Sequence, residues 1–148
     1  RLRFFVLKQK TAYEMERGLV GSEMCIRGRF KRDPVWMPWS AQHLRRGRAQ
    51  GLAINIVVYA ELVGHPGFDF DLAAFLDDLQ ISLPEISRTA ARDAALAFRR
   101  YRERGGARTG VLPDFFIAAQ AQTENWRLLT RDAARYRTYF PELQLICP

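Results

Sequence analysis

The sequence predicts an α/β fold, a three-layer α/β/α domain with a mainly parallel central sheet. Three observations carry that expectation. Short apolar segments alternate with stretches of helical periodicity, the pattern of strands joined by crossover helices. The run Leu52–Val58 is apolar throughout, as a parallel strand covered on both faces is. Residues 111–132 (VLPDFFIAAQAQTENWRLLTRD) read as a buried helix opening on one acid, then a strand closing on another. Ligands in such folds bind at the carboxyl ends of the strands, so this order aims Asp114 and Asp132 at one edge of the sheet.

The elements follow in chain order. Phe4–Leu7 is apolar enough to supply a strand, but Lys8-Gln9-Lys10 follows it, and the basic stretch that holds it is left out of the fold expectation. Asp33-Pro34 opens a segment in which Trp36, Trp39 and Leu44 stand beside Arg45, Arg46 and Arg48, a helix with an aromatic side and a basic side. Leu52–Val58 is a buried strand running into a short helix, Tyr59–Val63, that carries Glu61. His65-Pro66-Gly67 is a turn. Asp71–Leu79 is a short amphipathic helix and Ile81–Leu83 a short strand. In the helix over 87–104, Ile86, Ala90, Ala94, Ala97, Phe98 and Tyr101 recur at three- and four-residue spacing, a core face. Arg88, Arg92, Arg99 and Arg102 fall on another face, and Gly105-Gly106 ends the helix. Pro113 suits the first turn of the next helix, where its missing N–H costs nothing. Leu128–Thr130 is a strand, Asp132 the cap of a short helix, and Leu143–Ile146 the final strand.

At 148 residues the chain makes one domain able to bury a core. No apolar run approaches the ~18 residues of a membrane span, and Phe4–Leu7 is shorter than the ~7–15-residue core of a secretory signal. Cys25 and Cys147 make neither a metal spacing nor a disulfide framework, so no membrane association and a cytoplasmic location are expected. The net charge of +7 looks like a nucleic-acid signal, but its distribution is uneven. Residues 1–32 hold nine Lys/Arg and three Glu, while residues 33–148 hold fourteen Arg and thirteen Asp/Glu. Net charge therefore lends the main domain no support as an RNA binder.

Other composition changes fall at the same seam. Every lysine (Lys8, Lys10, Lys31) lies before residue 32, as does just one alanine, Ala12. The string KQKTAYEMERGLVGSEMCIRG (8–28) resembles translated sequencing-adapter DNA. Residues 1–29 are therefore expected to be a non-native head, the alternative being a basic N-terminal extension, and residues 30–148 the domain proper.

Taken singly, Asp114 and Asp132 are as well explained as helix caps or dipole partners. Glu61 sits within the apolar stretch IVVYAELV, where an enclosed carboxylate needs a partner, and a divalent cation is one answer. Clustered carboxylates hold such a cation, which polarises a phosphate and lowers the pKa of a bound water.

The blocks INIVVYAEL (54–62), AFRRYRERGGARTGVLPDFFIAAQA (97–121) and LLTRDAARYRTYFPELQLICP (128–148) resemble successive blocks of the VapC-like PIN-domain family of toxin–antitoxin ribonucleases. The resemblance covers about residues 33–148 and implies a PIN-like domain that hydrolyses RNA phosphodiesters with Mg²⁺ or Mn²⁺. It implies Glu61, Asp114 and Asp132 as catalytic acids and metal ligands, with Thr130 supporting the last acid. It also implies an RNA substrate, a homodimer and a cognate antitoxin protein that covers the site.

The chain departs from the family pattern in two places. The family's first strand ends in an Asp-x-Asn motif carrying the leading carboxylate, yet residues 1–32 contain no Asp, and Asp33 matches a later Asp-Pro-x-Trp position. The domain thus lacks its native first strand, which leaves the implied activity impaired. The frequent IGAHA is here IAAQA, with Ala118 and the non-titrating Gln120. Arg99, Arg102, Arg104 and Arg108 are candidates for guiding an RNA backbone, with Tyr101 stacking on a base. A solvated helix face with pairs such as Arg99–Glu103 explains them equally. Tyr136, Tyr139 and Phe140 are read as packing, and His43 and His65 as structural. Two rivals remain. One is a catalytically inactive PIN-like protein that binds an antitoxin, and the other is a metal-independent RNA-binding module.

Overall fold

Five short strands line up side by side in the order β3-β2-β1-β4-β5, and each neighbouring pair is parallel. The computed structural model describes residues 4–6, 37–64, 71–130 and 133–148. In chain order the elements are β1 (Phe4–Val6), α1 (Met37–Arg48), β2 (Leu52–Ala53), α2 (Ile56–Val63), α3 (Leu72–Asp78) and β3 (Ile81–Ser82). They continue with α4 (Arg88–Glu103), α5 (Pro113–Thr123), β4 (Arg127–Leu129), α6 (Ala134–Tyr139) and β5 (Leu145–Ile146). This is the expected α/β fold with a parallel sheet.

Phe4–Val6 fills the central position, with Phe4 opposite both Leu52 and Arg127 and Val6 opposite Leu129. The chain moves outward from β1 through β2 to β3, then crosses back to β4 on the other side of β1. That reversal places the carboxyl ends of β1 and β4 together at the topological switch point, where open parallel sheets bind ligands.

One expectation is corrected. Leu52–Val58 is not a continuous strand: only Leu52–Ala53 joins the ladder, extended by the Ile54 N–H bond to the Ser82 carbonyl. Asn55 then turns the chain into α2, its Oδ1 accepting from the N–H groups of Val57 and Val58, each at 3.1 Å. The β-branched run suits a strand, but the cap supplies partners for two otherwise unpaired donors and wins locally. Asn55→Ala is expected to cost about 1 kcal/mol of stability, read as a lower urea midpoint at unchanged slope.

Elsewhere the local signals hold. Asp71 and Ser87 cap α3 and α4, and Pro113 begins α5. Gly105 leaves α4 at φ +84°, the left-handed region that glycine enters without strain. The core face of α4 is as spaced, with Ala90, Ala94 and Ala97 buried. Their small side chains let α4 lie close along α5, whose Phe115, Ile117, Ala118, Ala119 and Ala121 are all fully enclosed. Asp114 and Gln120 are the polar exceptions on that buried helix. The sequence assigned Asp132 as the cap of α6; the cap position belongs to Ala133, which makes no side-chain cap bond. Asp132 itself lies outside the described residues, as do Trp36, Asp33, Cys25 and His65. No described helix is long and apolar enough to cross a membrane.

Candidate active site

Asp114 is the best-defined member of the predicted site. It lies in the first turn of α5, where the free N–H groups and helix dipole favour an anion. Only 5% of it is exposed, so its charge needs compensation. Arg135 supplies it from the first turn of α6, Nη1 donating to Oδ2 at 2.6 Å, while the Tyr136 hydroxyl stands 3.5 Å from Oδ1. Tyr136 is itself buried. The carboxylate is therefore anchored at Oδ2 by Arg135, with the hydroxyl of the next residue, Tyr136, facing Oδ1.

Glu61 rides on α2, which packs against α5. The residue is half-buried, with its Oε2 enclosed. Thr130 is buried immediately after β4, and its N–H donates to the Ile146 carbonyl at 2.9 Å. Since Val6 pairs with Leu129, Thr130 stands at the switch point. Asn55 is wholly buried just past β2, and its Nδ2 has no hydrogen-bond acceptor among the described residues. Carboxylate and hydroxyl oxygens are hard donors, the chemistry that suits Mg²⁺ or Mn²⁺. Glu61, Asp114 and Thr130 fit such an ion by donor type. Among the described residues no three His, Cys, Asp or Glu side chains gather into one group, and Asp132 stands outside that set.

The arginines on and after α4 are largely occupied. Arg99 pairs with Glu103 at 3.6 Å, both side chains well exposed. Arg102 turns Nη1 onto the carbonyls of Gly106 and Arg108, at 2.7 and 2.8 Å. Arg104 lies over the Tyr139 ring, 5.6 Å from its centroid. The Arg108 N–H donates to the Tyr101 hydroxyl at 3.4 Å. Tyr101 is not available to stack on a base: its ring packs against Phe98, Phe115 and Tyr139. Gly106 lies so near that ring that a Cβ there would overlap it. Tyr136 and Phe140 are buried packing residues, as read from the sequence. His43 lies tilted beside the half-buried Trp39 ring and its Nδ1 lies 2.9 Å from that residue's carbonyl oxygen.

Comparison with known proteins decides the family. The model of the PIN domain matches residues 40–141. This chain belongs to the PIN domain family. No curated protein matches it. Its fold is similar to that of VapBC2 from Rickettsia felis, solved bound to a DNA fragment from the promoter. There the TM-score is 0.63 at 19% identity, over 84% of this chain and 93% of that one. DNA-bound VapBC from Salmonella typhimurium gives a TM-score of 0.59 at 14% identity, over 99% and 98%. VapBC-1 from nontypeable Haemophilus influenzae gives 0.57 at 14%, over 84% and 92%.

In this PIN domain, Arg135 is the contact that sequence reasoning missed. It stands 21 residues from Asp114, and nothing in the string TRDAARY distinguishes it from a solvated arginine. Asn55 was also missed, though an Asn ahead of an apolar run is a recognised start of a helix. Gln120 has a structural task, its Nε2 donating to the Glu85 carbonyl at 2.9 Å and tying α5 to the loop after β3.

Proposed function

We propose that this PIN domain is the endoribonuclease toxin of a toxin–antitoxin pair, hydrolysing RNA phosphodiesters with Mg²⁺ or Mn²⁺. One observation carries the reading: a buried carboxylate, Asp114, opens α5 and is anchored by Arg135 from the segment that follows the strand at the switch point. Asp114 and Asp132 act as metal ligands, Glu61 completes the cluster or orients the attacking water, and Thr130 supports Asp132. The cation, when bound, polarises the scissile phosphate and lowers the pKa of the attacking water. Arg99 and Arg108, exposed on α4 and in its following loop, guide the RNA backbone, and Arg102 and Arg104 join them on leaving their carbonyl and Tyr139 partners. The reading extends to a homodimer in the cytoplasm whose site is covered by a cognate antitoxin, consistent with fold relatives solved as VapBC complexes.

The test is cleavage of end-labelled RNA by the full chain. Cutting, impaired by the missing first-strand carboxylate, is expected with Mg²⁺ or Mn²⁺ and not with excess chelator; undiminished cutting in chelator would sink the reading.

One observation favours a second reading: residues 1–32 contain no Asp to supply the first-strand carboxylate. On that reading the domain binds its antitoxin without cleaving RNA. We also propose that residues 1–29 are not native, Phe4–Val6 standing at the centre of the sheet in place of the native first strand. Sequencing the source locus across the codons for residues 1–40 tests this, an Asp-x-Asn strand in frame being the expected result.

A further inference from the structure

Asp114 already has a cation. The Arg135 guanidinium meets Oδ2 at 2.6 Å, within the range of a strong charge-assisted bond. The Asp114 side chain is 7% exposed and that of Arg135 30% exposed, so the guanidinium forms the more solvent-facing half of the pair. Tyr136 stands at the other carboxylate oxygen, on the same short helix as Arg135. A divalent cation ligated by Asp114 would share that carboxylate with a full positive charge only a few ångströms away. At such separations the repulsion exceeds thermal energy even at the effective dielectric of a protein surface. That repulsion opposes loading a cation while Arg135 stays in place, and the partial exposure of its side chain leaves it a path outward.

We propose that Arg135 is a resident counter-cation for Asp114, one that competes with the divalent ion and sets the concentration at which the site loads. The inference rests on the metal-dependent reading above and deepens it. Arg135 keeps the carboxylate compensated, and the fold intact, when no metal is bound. Removing it takes a full positive charge off the carboxylate that a divalent ion would share.

The test is Mn²⁺ binding to the full chain, read from the electron paramagnetic resonance signal of the free aqueous ion, with thermal midpoints alongside. Wild type, Arg135→Ala and Arg135→Gln are compared, with Asp114→Asn as the variant lacking the ligand. Both Arg135 variants are expected to bind Mn²⁺ at least about tenfold more tightly than wild type, as loss of a competing like charge on the ligand requires. Their midpoints should fall without metal and rise further with it than the wild-type midpoint does. Equal or weaker binding by a folded Arg135 variant overturns the inference while leaving the metal reading in place. Absence of Mn²⁺ binding from wild type and variants alike removes the metal reading, and the inference with it. If both variants are unfolded without metal, Mn²⁺ must restore the fold, and failure to do so also overturns the inference.

Discussion

Asp114→Asn is expected to lower metal-dependent RNA cleavage on the order of a thousandfold, the usual scale for removing a charged group that stabilises the transition state. The substitution keeps the shape of the side chain and its place in the first turn of α5. It removes the charge that a cation would bind and that Arg135 now compensates. Because the Arg135 side chain is 30% exposed, the loss of stability should stay well under the ~3–5 kcal/mol of breaking a wholly buried pair. A near-native denaturation midpoint with cleavage gone would separate chemistry from folding. Cleavage above a tenth of wild type in a folded Asp114→Asn protein would show that the acid is a structural partner of Arg135 and not a ligand.

Phe115→Ala is expected to give the largest loss of stability, about 3–5 kcal/mol. Phe115 is fully buried and lies at the meeting point of three helices. Its ring packs against Phe98 and Tyr101 of α4, Tyr139 of α6 and Phe140 just beyond. Truncation opens a cavity that the surrounding rings cannot close without leaving their edge-on and tilted arrangements. Since Phe115 follows Asp114 directly, the same cavity should loosen the carboxylate and reduce cleavage in protein that is still folded. The neighbouring Phe116 is only half-buried, so Phe116→Ala should lose clearly less. Equal urea midpoints for the two variants would contradict this account of the core.

The sequence made most of the scaffold legible because its signals are local. The alanine spacing of α4, Gly105-Gly106 at its end and Pro113 at the start of α5 all act within a turn or two of chain. The failure at Leu52–Val58 was also local. A buried strand and a buried helix look alike in a short apolar run, and the single Asn55 cap decided between them. Asp114 was legible as an acid opening a buried helix. The roles of the arginines were not, because Arg102 and Arg104 find their partners in a loop carbonyl pair and the face of Tyr139.

By itself, then, the sequence determined the alternation of strands and helices, the buried faces of α4 and α5, and the placing of Asp114 at a helix start. Periodicity and capping are short-range properties and can be read residue by residue. Only the tertiary structure decided that Phe4–Val6 takes the centre of the sheet, between β2 and β4. It also decided that Arg135 closes on Asp114 across 21 residues of chain. Both are pairings between distant segments, fixed by how the parallel strands stack in order, and no local pattern encodes them.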